Sequence, residues 1–255
     1  LVEAIRYCST LSSHRSPSSS LIAAGENQSL RGVEIENKGK SLKLGIELNR
    51  EGSNRQSLNG NIVRKSSEVL GALTTVIFSP EDIDIIRRDP GTRRSFLNDL
   101  GIQLRPSYYQ TLQDYERVLK QRNALLKSAR GKANIDISTL ELWDEKLISI
   151  GSSIIRNREM LLESLISRIK EKYQQISSSS AEIQIKQISS FDVDYSNLET
   201  TEIENQFASA VKNIRHDEIE RGLTLIGPQR DEIEIKLNGL VSKEHASQGE
   251  AWSLA

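Results

Sequence analysis

A helical block in the middle of the chain is the feature that most constrains its fold. Between residues 107 and 178, apolar residues recur at spacings of three and four, which is the period of a helix that buries one face. The pattern predicts a first helix over 107–129, closed by Gly131, and a second helix that begins near Thr139. The second helix carries the stripe Trp143, Leu147, Ile150, Ile154, Leu161, Leu165 and Ile169. Two long antiparallel helices, ended by a serine tract at 177–180, are the simplest arrangement.

Strand patterns lie on both sides of this block. Residues 42–48 alternate apolar and polar side chains, as a half-buried strand does, and Asn59-Gly60 favours a tight turn between short strands. Further strands are expected at 74–78, 183–188, 223–226 and 233–237. Further helices are expected at 1–11, from Pro80 onward, and around 203–214 with an end near Gly222. The pattern therefore indicates an α/β body that is interrupted by a helical insertion.

The composition excludes several classes of protein. The 255 residues carry a formal net charge of −1, so any nucleic-acid surface must come from local clustering and not from bulk charge. The single cysteine, Cys8, excludes an intrachain disulfide and a zinc site built from several cysteines, and it fits a reducing cytoplasm. The chain has no run of about 18 apolar residues, so no membrane span is expected.

Seven segments, spread over nearly the whole chain, match the motifs of one family in the family's order. They are LVEAI (1–5), SSHRSPSSSLIAAG (12–25), FSPEDIDIIRRDPGTRRSFLND (78–99), YERVLKQRNALLK (115–127), LWDEKL (142–147), LIGPQRDEIEI (225–235) and HASQGEAWSLA (245–255). On these motifs the chain resembles the RecF family of DNA-repair ATPases.

The resemblance implies an α/β fold of the ABC-type, SMC-like ATPase head with an inserted helical lobe. It divides the chain into a head part at 1–80, a mainly helical lobe at 81–200 and a second head part at 201–255. In such proteins two heads sandwich ATP, with Mg²⁺, between the phosphate loop of one head and the signature loop of the other. The resemblance therefore implies an ATP-dependent homodimer in the cytoplasm. The resemblance also implies that this dimer binds single-stranded, gapped or junction DNA, and that it works with RecR- and RecO-type mediators in recombinational repair and the SOS response.

The string SQGE at 247–250 is the candidate signature loop for ATP bound by a second head. A serine hydroxyl (Ser247) and a backbone that Gly249 leaves open are what a γ-phosphate contact requires, and Gln248 and Glu250 complete the motif. On the four letters alone, an ordinary polar turn before a helix is the alternative. The next two residues, Ala251-Trp252, stand where the family usually has Gln-Arg, so a positive charge near the nucleotide is lost.

Five basic residues are candidates for phosphate contacts. Arg15, in the SHR motif, is the candidate for an ATP contact, because a guanidinium fork suits a phosphate; the alternative is a solvated loop residue. Arg93, Arg94, Lys120 and Arg122 are candidates for contacts with DNA phosphates. For the arginines at 93 and 94, the alternative is a solvated face paired with nearby acidic residues.

The resemblance places the Walker A loop before Leu1 and the Walker B acids after Ala255. The chain is therefore expected to be an internal part of a weak DNA-dependent ATPase and to hydrolyse no ATP alone, so no catalytic residue is assigned. A competing hypothesis is a non-catalytic helical module that binds a partner protein through residues 107–178; a GxxxxGK[ST] motif just upstream would decide for the ATPase. An SMC-like arm is disfavoured, because helices of about 25–35 residues are typical of bundles.

Overall fold

The computed structural model describes residues 2–13, 17–37, 39–131, 137–177 and 180–255. Its helices are α1 (Val2–Thr10), α2 (Asp84–Arg87), α3 (Pro90–Leu104), α4 (Tyr108–Ala129), α5 (Ile137–Ser177), α6 (Thr200–Arg221), α7 (Ser242–His245) and α8 (Gln248–Leu254). Its strands are β1 (Gln28–Asn37), β2 (Lys40–Asn49), β3 (Arg55–Leu58), β4 (Asn61–Val63), β5 (Ile183–Ile188), β6 (Glu232–Leu237) and β7 (Leu240–Val241). Short 3₁₀ helices lie at Ser18–Leu21, Ser66–Glu68 and Pro80–Ile83.

The chain divides into two units by its internal contacts. The first unit contains residues 1–79 and 99–110, and the second contains residues 80–98 and 111–255. The division predicted from the resemblance has boundaries near residues 80 and 200 and separates the parts of the ATPase head from the helical lobe. It stays a prediction. None of the helices in the described ranges is long and apolar enough to cross a membrane.

An antiparallel sheet in the order β1-β2-β3-β4 is the framework of the first unit. β2 confirms the strand predicted at 42–48, and its alternate residues Leu44, Ile46 and Leu48 are buried, as the two-residue period of a strand requires. They share a core with residues of α1, which confirms the predicted first helix. The long strand β1 pairs with β2 over its whole length and was not anticipated, because its apolar residues are few.

The predicted ends and turns are also confirmed. Asn59-Gly60 joins β3 to β4 with both residues at positive φ, 52° and 83°, as a type I′ hairpin turn requires. Gly222 follows α6 in the left-handed conformation and caps it. The predicted strands at 183–188 and 233–237 are β5 and β6, which pair antiparallel.

Two predicted strands, 74–78 and 223–226, are wrong. Residues 74–78 form no strand; Val76 is 97% exposed, and the Thr75 N–H donates to a glutamine side chain at 2.7 Å. In the second segment the Thr224 and Leu225 N–H groups donate to side-chain oxygens of α4 and α6, each at 2.8 Å. Short apolar runs resemble strands in sequence, but these backbone groups are satisfied by side chains instead of by a neighbouring strand.

The helical block of the second unit consists of α4 and α5, which run antiparallel. Arg122 of α4 contacts Asp144 of α5. Tyr115, about two turns earlier on α4, lies against Gly151, which is about two turns later on α5. The residue numbers therefore rise on one helix as they fall on the other. The bounds predicted for the two helices agree closely with those of α4 and α5. The helix length of about 25–35 residues is wrong, because α4 has 22 residues and α5 has 41. Gly151 does not interrupt α5, since a Cβ there would lie 2.8 Å from the Phe207 ring and the glycine permits that close packing.

α5 takes part in two cores of the second unit. In its first half, Ile155 packs with Tyr195 and Ile203. In its second half, Tyr173 packs with Ile183 and Leu237 of the sheet β5-β6-β7. The helix therefore supports both the helical block and the small sheet that leads to the C-terminal segment.

Glu159 of α5 is a buried carboxyl whose ionisation opposes folding. It is 7% exposed, and burial, followed by the negative charges of Glu163 and Asp194, raises its pKa from 4.5 to about 7. Below pH 4.5 the carboxyl is protonated in both the folded and the unfolded chain. Between about pH 4.5 and pH 7 only the unfolded chain loses the proton, so stability is expected to fall over this range and to stay level above it. The loss is at most about 3 kcal/mol, from 1.36 kcal/mol per pKa unit.

The substitution Glu159→Gln tests this pH dependence. The variant is expected to be more stable than the parent chain at pH 8 and to match it near pH 4.5, because an amide stays neutral at both pH values. Urea unfolding followed by circular dichroism at pH 4.5, 6 and 8 measures the difference. Glu145→Gln, at an exposed position of the same helix, is the control; an equal gain in both variants would contradict the prediction.

Candidate functional site

Residues 247–250, the signature loop, lie between two short helices. Ala246 and Ser247 are extended, and they connect α7 to α8. The Ser247 Oγ accepts the Glu250 N–H at 3.3 Å, and the Glu250 carboxylate accepts the Ser247 N–H at 2.8 Å, which is the reciprocal pair of a capping box. The hydrogen bond from the Ser247 N–H lowers the pKa of Glu250. The letters S-x-x-E thus explain why α8 begins where it does.

The loop offers open polar groups to a ligand. Ser247, Gln248 and Gly249 are exposed, and a Cβ added at Gly249 would meet no atom within 4 Å. The Ser247 hydroxyl accepts one hydrogen bond in the cap and keeps its own proton for donation. An anionic group can therefore approach the backbone at Gly249 and the Ser247 hydroxyl together.

The two residues that depart from the family pattern serve different purposes. Ala251 is fully buried and shares a core with Ile86 of α2 and Ala246, so it anchors α8. Trp252 is half-buried. Residue 251 therefore faces the core in this chain. Residue 252, a tryptophan here, stands where the family usually has the arginine that could face a ligand.

Three arginines from residues 87–94 hold the segment that leads to the signature loop; we call Arg87, Arg93 and Arg94 the arginine clamp. Arg93 makes a two-bonded ion pair with Glu232 at the start of β6, with both distances 2.8 Å. Arg94 donates to the Asp231 carbonyl at 2.6 Å. Burial, followed by repulsion from Arg158, lowers the pKa of Arg94.

Arg87 completes the clamp at the loop itself. Its guanidinium donates to the Ala246 carbonyl at 2.5 Å and to the Lys243 carbonyl at 3.4 Å. Sequence reasoning treated the residues 87–94 as a surface, because their partners lie about 140–160 positions away along the chain.

The structure distinguishes among the four candidates for DNA contact. Arg122 is fully buried and Arg93 is 4% exposed, and their guanidinium groups are engaged with acidic partners. A phosphate cannot reach either group in this conformation, so burial removes both from the candidate set. Lys120 is exposed and Arg94 is partly exposed, and they remain candidates.

The GPQRD segment, residues 227–231, forms a second ordered loop. The Gly227 N–H donates to the Ser190 hydroxyl at 2.8 Å, Arg158 donates to the Pro228 carbonyl at 2.7 Å, and Gln229 accepts a short hydrogen bond from the Tyr115 hydroxyl. These contacts from α4, α5 and the segment after β5 fix the conformation of the loop.

Asp231 at the end of this loop is a buried acceptor. It accepts hydrogen bonds from the Gln187 amide at 2.8 Å, the Ser190 N–H at 2.9 Å and the Tyr195 hydroxyl at 3.2 Å. Burial raises the pKa of Asp231, although the hydrogen bonds from Ser190 and Gln187 act in the opposite direction. Asp231 is therefore a structural centre of the loop and is shielded from water.

Two further features bear on ligands. The predicted ATP contact Arg15 and its neighbour His14 lie outside the described residues. Within the described residues, the one group of side chains close enough to share a metal ion is His216, Asp217 and Glu220 on α6, and all three are exposed. That group does not include any residue of the signature loop, and Glu250 is already engaged in the capping box.

Two of three comparisons with known proteins find relatives of the same kind. A scan against models of protein families finds no match. The chain is 37% identical over 274 residues to the DNA replication and repair protein RecF of Clavibacter sepedonicus, covering 100% of this chain and 67% of the relative. It is 37% identical over 280 residues to RecF of Renibacterium salmoninarum, covering 70% of that relative. It is 35% identical over 268 residues to RecF of Kineococcus radiotolerans, covering 68%.

Solved structures give the same result. Two structures of the recombination mediator protein RecF in the RecFOR pathway, named RecF-ATPrS and RecF-ATP, match with a TM-score of 0.89 and 29% identity. The matches cover 99% of this chain and 68% and 67% of those chains. This chain thus spans about two thirds of the length of the proteins it resembles.

Proposed function

The chain belongs to the RecF family of DNA replication and repair proteins and has the family's ABC-type ATPase fold. We propose that it acts as part of a protein that binds DNA in an ATP-dependent manner during recombinational repair. The signature loop carries the proposal. Its exposed Ser247 hydroxyl and open Gly249 backbone, at the start of α8, suit the γ-phosphate of ATP held by a second copy.

The chemistry of the loop supports this role. The first N–H groups of a helix have no partner within the helix and carry partial positive charge, so they favour an anion. Gly249 leaves space for a phosphate oxygen, and Ser247 adds a hydroxyl donor. Together with Gln248, they would contact ATP across a dimer interface, while Glu250 would hold the shape of the loop through the capping box. One solved relative is named RecF-ATP, which supports ATP as the ligand.

Mg²⁺ accompanies ATP in proteins of this class, yet the loop offers it no ligand set. Glu250 is committed to the Ser247 N–H, and the exposed group on α6 contains no loop residue. The loop's proposed part is therefore phosphate recognition without metal ligation. Arg15 stays a proposed ATP contact on the strength of the SHR motif.

DNA binding rests on a smaller set of residues than the sequence suggested. Lys120 and Arg94 are the proposed phosphate contacts, since Lys120 is exposed and Arg94 is partly so. Such contacts give affinity that falls as salt rises, because DNA binding releases counterions. The further proposed partners are RecR- and RecO-type mediators, in keeping with a relative placed in the RecFOR pathway, and the proposed setting is the cytoplasm and the SOS response.

Three substitutions at Ser247 test the signature loop in the full gene product that contains this chain. Ser247→Ala is expected to weaken ATP-dependent association by about ten- to a hundredfold, the value of a hydrogen bond to a charged group. Ser247→Asp should abolish the association, because aspartate repels a phosphate, although it caps a helix as well as serine does. Ser247→Thr keeps the hydroxyl and should associate normally.

Sedimentation velocity with and without ATP measures the association of each variant. The aspartate variant separates capping from phosphate recognition, because its α8 should remain folded. ATP-driven association of Ser247→Asp at the parental level would overturn the proposal.

A further inference from the structure

The final turn of α2 is bound to the backbone that enters the signature loop. Arg87 donates from one nitrogen to the Ala246 carbonyl at 2.5 Å and from another to the Lys243 carbonyl at 3.4 Å. Ala246 is joined to Ser247 by a single peptide bond. Lys243 lies in α7 and Ala246 follows its last residue, where the helix supplies no N–H partners for the carbonyls.

The helices beside the loop are too short to fix its position. α7 has four residues and α8 has seven, whereas an isolated helix needs about 12–15 residues to be even marginally stable in water. The loop must therefore be held by contacts from elsewhere in the second unit. Those contacts include the Arg87 hydrogen bonds, the apolar cluster of Ile86, Ala246 and Ala251, and the packing of Leu254 beside Tyr173 of α5.

Arg87 suits this task better than a simple surface charge would. The guanidinium is planar and rigid, and it presents several donors in a fixed fork, so two carbonyls are held at a set spacing. Its neighbour Arg88 behaves differently: it is 66% exposed and pairs with Asp84 of the same helix at 2.7 Å. Two adjacent arginines thus have separate roles: Arg87 is half-buried and bonded to the backbone before the loop, and Arg88 lies at the surface.

We propose that Arg87 is a positioning residue for the signature loop. By holding the Ala246 carbonyl, it sets the direction in which the Ser247 hydroxyl and the Gly249 backbone face a nucleotide on a second copy. The inference rests on the proposed function of the loop. Arg87 would act through the backbone that it holds and not through a contact of its own with the nucleotide.

Hydrogen exchange on this chain tests the positioning directly. In Arg87→Ala, the amides of Glu250 and Ala251, which donate to Ser247, are expected to exchange at least tenfold faster. Amides in the middle of α5 should be unchanged, which excludes general loss of stability. Arg87→Lys should restore part of the protection, and Arg88→Ala is the matched control that should leave it intact. Unchanged exchange in Arg87→Ala would overturn the proposal.

A second measurement connects positioning with function. In the full gene product, Arg87→Ala is expected to raise the concentration needed for ATP-dependent association at least tenfold, while ATP binding to a single copy stays the same. Faster exchange with normal association overturns the functional part of the inference. If Ser247→Asp also associates normally, the proposed function of the loop fails instead, so the two failures are distinguishable.

Discussion

Replacing Arg122 with methionine is expected to lower the free energy of unfolding by about 3–5 kcal/mol. Arg122 is fully buried on α4. Its guanidinium donates to Asp144 at 2.7 Å, to Thr224 at 2.8 Å and to Glu218 at 2.6 Å. Burial by itself would lower the pKa of Arg122, but its bonds to Glu218 and Asp144 raise it. Methionine fills a similar space but removes the buried cation with which Asp144 and Glu218 are paired.

Urea unfolding followed by circular dichroism measures this loss. Arg117→Met is the matched control, because Arg117 lies on the same helix and pairs with Asp114 at 2.9 Å but is 67% exposed; its cost should be about 0.5 kcal/mol or less. The triple variant Arg122→Met, Asp144→Asn, Glu218→Gln should recover part of the stability, since its buried partners are neutral. A loss below about 1 kcal/mol in Arg122→Met would contradict the buried network.

Gly227→Ala is the second substitution with a large expected effect, about 3–5 kcal/mol of lost stability. Gly227 has a φ of 120°, a conformation that costs a residue with a side chain about 1–3 kcal/mol. An added Cβ would also lie 2.7 Å from Gln229 Oε1, 2.8 Å from the Tyr115 hydroxyl and 3.0 Å from the Phe207 ring. Overpacking of this kind costs about 1–3 kcal/mol more.

The same unfolding measurement checks this substitution, with Gly249→Ala as its control. A Cβ at Gly249 meets no atom within 4 Å, so that variant should be as stable as the parent chain. Equal stability of the Gly227 and Gly249 variants would show that the GPQRD loop relaxes around an added methyl group.

Features set by neighbouring residues were predictable from the sequence. The serine and glutamate of SQGE define a capping box within four positions, and Asn59-Gly60 defines a hairpin turn, so both follow from local chemistry. The stripe on α5 also gave the helix and its buried face. The helix bounds followed from this stripe and from the serine tract, but only the facing rings explain why Gly151 lies within α5.

Features set by distant partners were not predictable in the same way. Arg93 and Arg122 look like surface charges in the sequence, since nothing near them shows that Glu232 and Glu218 are their partners. The apolar segments 74–78 and 223–226 have the composition of strands, but a strand also needs a neighbour in space. The contact of Arg87 with Ala246 spans 159 positions, and no local pattern signals it.

The continuous helix α5 has a mechanical consequence. Its 41 residues extend over about 60 Å at 1.5 Å per residue, with one end in the helical block and the other against β5, β6 and Leu254 of α8. α5 continues through Gly151 without a break. Because the same helix packs against α6 at one end and beside Leu254 at the other, a change in its tilt at the helical block would also move the surface on which α8 rests.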